Sequence, residues 1–277
     1  MGDKTKIDWC DASWNPVTGC LHGCEYCYAR SMAHRYAGFN PESTRGNGEW
    51  NTIQYEKDAS RIAILNGRQY RTMQDGKEIV APYPFGFTPT FHRYRLDIPA
   101  RWKRPRNIFV CSMADLFGDW VPDEWIEEVL KACDKASQHR YLFLTENPKR
   151  YRNLQELLPI HRRPPHVAEL WFGASYTGEA SYIHPRIYGP FSQFVSVEPL
   201  LKAPSEADCF GLATCNDWVI IGAETGHRKG KVLPERAWID KILEICERHH
   251  TPVFMKESLR ELMGVDFRQE YPWEVKL

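Results

Sequence analysis

From about residue 88 the chain repeats one phrase: a short apolar run rich in β-branched and aromatic residues, a polar end, then an amphipathic segment. The runs fall at 88–92, 107–113, 141–145, 170–176, 194–199, 218–224 and 252–256. Apolar on both faces, they read as buried parallel strands. Pro122, Asp123 and Glu124 open a segment at 121–137 in which Trp125, Ile126, Val129, Leu130 and Cys133 recur at helical spacing. Segment 237–249 does the same with Ile239, Ile242, Leu243 and Cys246, while the stretch before Trp218 offers a helix of a turn or two. A first strand at 13–18 brings the number of strands to eight. This alternation predicts an α/β fold, a (β/α) barrel of the TIM type, complete or partial, as one domain over residues 1–277. No Gly-x-Gly-x-x-Gly follows any strand, which disfavours an open dinucleotide-binding sheet.

Residues 37–87 depart from the phrase and read as an insertion after the first helix, either a lid or a decoration. Residues 38–51, rich in Gly, Asn, Ser and Pro, predict an irregular excursion. Residues 58–65 predict a short helix, and Asp75-Gly76 predicts a hairpin turn within 68–80.

In a barrel the C-terminal strand ends form the active face. They carry His92, Arg93 and Arg95, then Ser112 and Asp115, then Thr145, Glu146 and Asn147, then Ser175, Glu198, Glu224 and Lys256. Polar groups ending apolar strands are costly to bury unpaired, so a full set of them points to a site. Glu198 and Glu224 interrupt apolar strands beside Pro or Gly and are, with Lys256 as counter-charge to one of them, the candidate catalytic residues; such a pair also reads as a structural ion pair. Arg93, Arg95 and Arg150 are the candidate substrate-binding residues in a basic rim that includes Arg228. The rim suits an anionic substrate such as a nucleotide or nucleic acid.

Formal net charge is zero, so bulk electrostatic attraction to nucleic acid is not expected. No apolar stretch reaches the roughly 18 residues of a membrane span, and no apolar leader opens the chain. Nine cysteines, an odd number without a secretion signal, suit reduced thiols and a cytoplasmic location. Cys111, Cys133 and Cys246 read as small core residues. Cys10, Cys209 and Cys215 leave a second metal centre open, at a spacing that matches no pattern.

Cys20-Leu-His-Gly-Cys24-Glu-Tyr-Cys27 places three thiols within eight residues. A cubane cluster normally takes four cysteines, so three would leave one iron open to a small molecule. A zinc loop borrowing Cys10, His22 or a distant cysteine is the competing reading.

The Cys-x3-Cys-x2-Cys spacing with Tyr26 before the last cysteine resembles the radical SAM superfamily. The resemblance implies a [4Fe–4S] cluster on Cys20, Cys24 and Cys27, with S-adenosyl-L-methionine on the open iron and Tyr26 near its adenine. Ser112, Asp115, Glu146 and Ser175, at the strand ends around the cluster loop, are then the cofactor-binding candidates. Longer stretches, among them Trp14-Asn15-Pro16-Val17-Thr18-Gly19-Cys20, Phe109 to Phe117, Val195 to Leu200 and Trp218 to Gly226, resemble an uncharacterised phage-associated family of three-cysteine barrel proteins. The Gly-Gly-Glu signature of the superfamily is absent, and His92-Arg93-Tyr94-Arg95 stands in its place. The expected function is a radical SAM enzyme that forms a 5′-deoxyadenosyl radical and abstracts hydrogen from an anionic substrate, fed by an electron donor such as flavodoxin or ferredoxin. Two other classes stay open: a non-catalytic iron–sulfur or zinc protein that binds nucleic acid, and a metal-independent barrel hydrolase using Glu198 and Glu224 as acid and base.

Overall fold

The computed structural model describes residues 5–37, 52–57, 60–72, 75–153, 167–178, 191–226 and 228–274. In chain order the strands and helices are β1 (Ala12–Trp14), β2 (Val17–Thr18), α1 (Tyr28–Tyr36), β3 (Thr52–Lys57), β4 (Ser60–Leu65), β5 (Tyr70–Thr72), β6 (Glu78–Val80), β7 (Thr90–His92), β8 (Asn107–Val110), α2 (Asp123–Asp134), β9 (Arg140–Thr145), β10 (Glu169–Ser175), β11 (Ser192–Val197), α3 (Glu206–Thr214), β12 (Trp218–Ile221), α4 (Arg236–Arg248), β13 (Val253–Met255) and α5 (Arg260–Met263).

Seven strands, in the order β1-β8-β9-β10-β11-β12-β13, pair in parallel as a curled sheet that forms a half-barrel. Helices cover its outer face. α2 carries Asp123 and Glu124 in its first turn, where carboxylates suit the positive end of the helix. It buries Trp125, Ile126, Val129, Leu130 and Cys133 against Leu170 and Phe172 of β10. α3 opens with a reciprocal cap between Ser205 and Asp208, and runs longer than the turn or two expected of it. With α4 it packs Cys209, Leu212, Ile239, Ile242 and Cys246 onto Val195, Val197, Val219 and Ile221.

Because side chains alternate across a strand, the residues between these face the concave interior. There Trp9, Phe109, Leu142, Trp171, Phe194, Trp218, Ile220 and Phe254 form one buried cluster. The inward rows start with large apolar groups at the N-terminal edge and turn polar at the C-terminal edge: Trp171 leads to Ser175, Phe194 to Ser196 and Glu198, Trp218 to Gly222 and Glu224, Phe254 to Lys256. The barrel floor is therefore filled and its C-terminal mouth is lined with polar side chains.

Two expectations are corrected. The run at 88–92 is not a barrel strand: β7 pairs with β2 and β4 in a separate four-stranded sheet, so among the described residues the barrel sheet has seven strands. Within 58–65, Ser60–Leu65 is strand β4 rather than helix; Ile62 and Ile64 alternate with Ala63, and the segment pairs with β3 and β7. The hairpin around Asp75-Gly76 is present as β5 and β6, although residues 73–74 lie outside the described residues. So does the excursion expected at 38–51. Among the described residues no helix is long and apolar enough to cross a membrane.

Candidate functional site

The loop between β2 and α1 arches over the C-terminal edge of the half-barrel. It is launched by Gly19 at φ +86°, where an added Cβ would stand 2.3 Å from the Thr88 carbonyl oxygen, so only glycine fits. From this loop and the first residue of α1 four side chains reach the strand ends. His22 Nε2 lies 2.7 Å from Asp115 Oδ2, just past β8. Tyr26 reaches Glu146, just past β9. Glu25 stands 3.7 Å from Arg228, beyond β12. Tyr28 donates to the Ser112 carbonyl oxygen at 2.8 Å.

Asp115 is the anchor of the first cluster. It is 4% exposed and accepts from Thr145 Oγ1 at 2.8 Å, the Phe117 N–H at 2.9 Å and the Glu146 N–H at 3.0 Å. Three protein donors fix the carboxylate before it meets His22. Burial would depress the His22 pKa, but the hydrogen bond and charge of Asp115 outweigh it and raise the value above the ordinary histidine range. Trp120 packs edge-on against the imidazole at 4.8 Å. Glu146, within reach of the Ser175 and Tyr26 hydroxyls, has its pKa raised chiefly by burial and further by the charge of Asp115. Asn15 Oδ1 accepts from Ser112 Oγ at 3.2 Å and from the Met113 N–H at 3.0 Å, holding the turn after β8.

Two ion pairs form the other side of the mouth. Lys256 Nζ lies 2.6 Å from both oxygens of Glu198. The pair crosses β12 at Gly222, where an added Cβ would stand 2.8 Å from Lys256 Cδ and 3.0 Å from Glu198 Cδ. Glu224, 3% exposed, receives Arg228 Nε at 2.6 Å and Nη2 at 2.7 Å. The Arg228 donors pull its pKa below the ordinary carboxyl value, against burial.

The structure thus joins Tyr26, Asp115, Glu146 and Ser175 in one cluster and Glu198 with Lys256 in another. Glu224 stands apart, on Arg228. The three arginines expected at the substrate are held by protein groups. Arg95 is buried and donates to the Asn15 and Pro82 carbonyl oxygens at 3.0 and 2.8 Å. Arg93 makes a two-pronged pair with Glu128 of α2. Arg150 binds the Gly118 and Val121 carbonyl oxygens and Asp123. The sequence reading missed His22 as a partner of Asp115, because the 93 residues between them carry no local signal of contact.

The cysteine centre requires correction. Among the described residues no group of three or more His, Cys, Asp or Glu side chains is arranged to hold a metal ion. Cys27 serves instead as the N-cap of α1, its Sγ accepting from the Arg30 N–H at 3.4 Å. Burial pushes the Cys20 thiol up to about 12, which favours its neutral form. The donor set does not fit a [4Fe–4S] cluster on Cys20, Cys24 and Cys27, and the S-adenosyl-L-methionine expected on its open iron goes with it.

Compared with known protein families, residues 4–260 match one described as a protein of unknown function (DUF5131). No radical SAM family is among the matches, which overturns the radical SAM assignment within a phage-associated three-cysteine family. No curated protein and no solved structure matches the chain.

Proposed function

The chain belongs to the family described as protein of unknown function (DUF5131), which hands down no activity, and from the geometry we propose that it is an enzyme working by proton transfer at the C-terminal edge of its half-barrel. The observation that carries this reading is the Asp115–His22 pair. A buried carboxylate, already held by three protein donors, engages one imidazole nitrogen at 2.7 Å. That commits Nε2 and leaves Nδ1 as the ring nitrogen that exchanges a proton with substrate. Glu146, biased toward its neutral form by burial, is a second carboxyl at the same site that can hold a proton for the reaction. Tyr26 and Ser175 orient it.

In this proposal the substrate is anionic. Lys256 and Arg228 are two cations at the mouth, each fixed by a glutamate partner. Glu198 and Glu224 are then positioning residues rather than the acid and base of a hydrolase, because both carboxylates are occupied by these cations.

The test couples turnover to titration. A panel of chromogenic carboxylic, phosphate and glycosyl esters is screened with the wild type, His22→Gln and Asp115→Asn, and the His22 ring is titrated by NMR. Turnover should fall by roughly 10²–10⁴-fold in His22→Gln, the usual contribution of a positioned acid–base group. Asp115→Asn should lower the His22 pKa, because it removes the charge that raised it. Unchanged turnover in His22→Gln on any substrate the wild type converts, or a His22 titration indifferent to Asp115→Asn, overturns the proposal.

A further inference from the structure

Helix α1 leaves the mouth of the half-barrel carrying a stripe that the proton chemistry does not use. Tyr28, Met32 and Tyr36 recur every four residues and span about 12 Å along one side of the helix. They are 48, 41 and 46% exposed, while Ala29 and Ala33 form the buried seam with Phe87 and Met113. The stripe starts inside the site. Tyr28 donates to the Ser112 carbonyl oxygen at 2.8 Å, which fixes its ring at the tip. Burial, and then the charge of Glu198, raise the pKa of that hydroxyl. At the far end Tyr36 lies within electrostatic reach of Tyr83, which packs beside the same seam.

The charge along this path is positive. Residues 19–37 hold Arg30, Arg35 and one acid, Glu25, which stands 3.7 Å from Arg228. Among the described residues neither Arg30 nor Arg35 has a carboxylate partner. Arg30 instead lies over the Phe87 ring at 5.7 Å, and Arg35 is exposed on the shoulder of the stripe. The chain as a whole has no net charge, so any attraction of anions is local to this face. Exposed rings beside cations match a surface on which bases stack and phosphates are neutralised. A strand with about 3.4 Å between phosphates lays three or four of them along 12 Å of helix. An acidic peptide would meet the arginines but bring no flat ring to each tyrosine face, so a chain of bases is the better match.

We propose that the stripe of Tyr28, Met32 and Tyr36 binds single-stranded nucleic acid and leads a nucleotide to the mouth, an inference that rests on the anionic-substrate reading above. The experiment is fluorescence anisotropy on the full chain with labelled oligo(dT) and oligo(rU) of about 12 nucleotides. A DNA duplex and an oligoglutamate of matched length are the controls, at the same low ionic strength. At least one single strand should bind saturably, roughly tenfold or more tighter than duplex or oligoglutamate. Tighter oligo(dT) would identify DNA, and tighter oligo(rU) RNA. Tyr36→Ala should weaken binding at least about fivefold, the low end for one lost stacking contact, with an unchanged circular dichroism spectrum. Arg35→Gln should reduce the slope of log affinity against log salt by about 0.7, one phosphate contact on a single strand. Val265→Ser, at an exposed apolar residue off this stripe, should change neither. Absence of saturable binding, equal affinity for duplex or oligoglutamate, or full affinity and salt slope in both Tyr36→Ala and Arg35→Gln overturns the proposal. Because the readout is binding, that failure would leave ester turnover by the Asp115–His22 pair standing, and loss of that turnover would leave the binding standing.

Discussion

Gly222→Ala is the sharpest probe of how the mouth of the half-barrel is built. The added methyl carbon would stand 2.8 Å from Lys256 Cδ and 3.0 and 3.1 Å from Glu198 Cδ and Cγ. Carbon atoms settle at about 3.5–4.0 Å, so both side chains must retreat by roughly half an ångström or more. Any retreat that the two do not share lengthens their 2.6 Å contact. Overpacking of this kind costs about 1–3 kcal/mol. Lys256 is the flexible partner, so the lower half of that range is expected, read as a shift in urea midpoint at unchanged slope. The clash is assigned by a double-mutant cycle with Lys256→Ala. Removing the lysine stem removes the nearest contact, so Gly222→Ala should cost less in that background, with a coupling of at least about 0.5 kcal/mol. An equal cost in both backgrounds would refute the reasoning, as would a neutral Gly222→Ala.

Other expectations follow from single features. The Glu224 pKa is lowered in the fold, so its pairing with Arg228 adds stability above the ordinary carboxyl pKa of about 4.3, and that stability is lost as pH falls through the lowered value; Glu224→Gln should flatten the acid limb of a melting-temperature profile between pH 7 and 3. Cys133→Ala and Cys246→Ala remove wholly buried thiols and should each cost roughly 1–2 kcal/mol in urea unfolding. Cys111 is buried at φ +59°, where non-glycine residues pay about 1–2 kcal/mol. Cys111→Gly should therefore be at least as stable as Cys111→Ala in the same assay, reversing the usual order.

The barrel strands were legible because each is apolar on both faces and ends in a polar residue. Trp218 to Glu224 states in one line both the packed floor and the polar mouth. Thr90–His92 misled because a three-residue strand buried on both faces reads the same in either sheet, and only its pairing with β2 and β4, which is non-local, decides. Ser60–Leu65 misled because its alternation is short and its partners lie on either side in sequence. At the site, Asp115, Glu146 and Ser175 could be placed together as successive strand ends. The roles of His22 and Cys27 could not: one depends on a contact across 93 residues, the other on where α1 begins. The three arginines look free in sequence, yet each has partners inside the fold, because carbonyl oxygens and the two α2 carboxylates Glu128 and Asp123 take up their donors.

An incomplete barrel has a cost that a closed one avoids: its end strands offer unpaired backbone to other chains. On β13 that exposure is met by the returning chain. Met255 N–H donates to the Arg268 carbonyl oxygen at 2.9 Å, Glu270 N–H to that of Val253 at 3.0 Å, and Phe254 bridges Gln269 in antiparallel fashion. Tyr271 and Trp273 then lie over Trp218. Residues 268–273 act as a selvedge, finishing the fabric where the sheet stops. Cutting the chain after Met263 would bare the free edge of the buried strand β13 beside Trp218. The product should retain the mouth and its Asp115–His22 pair yet self-associate, a colloidal failure seen in light scattering rather than a loss of the site.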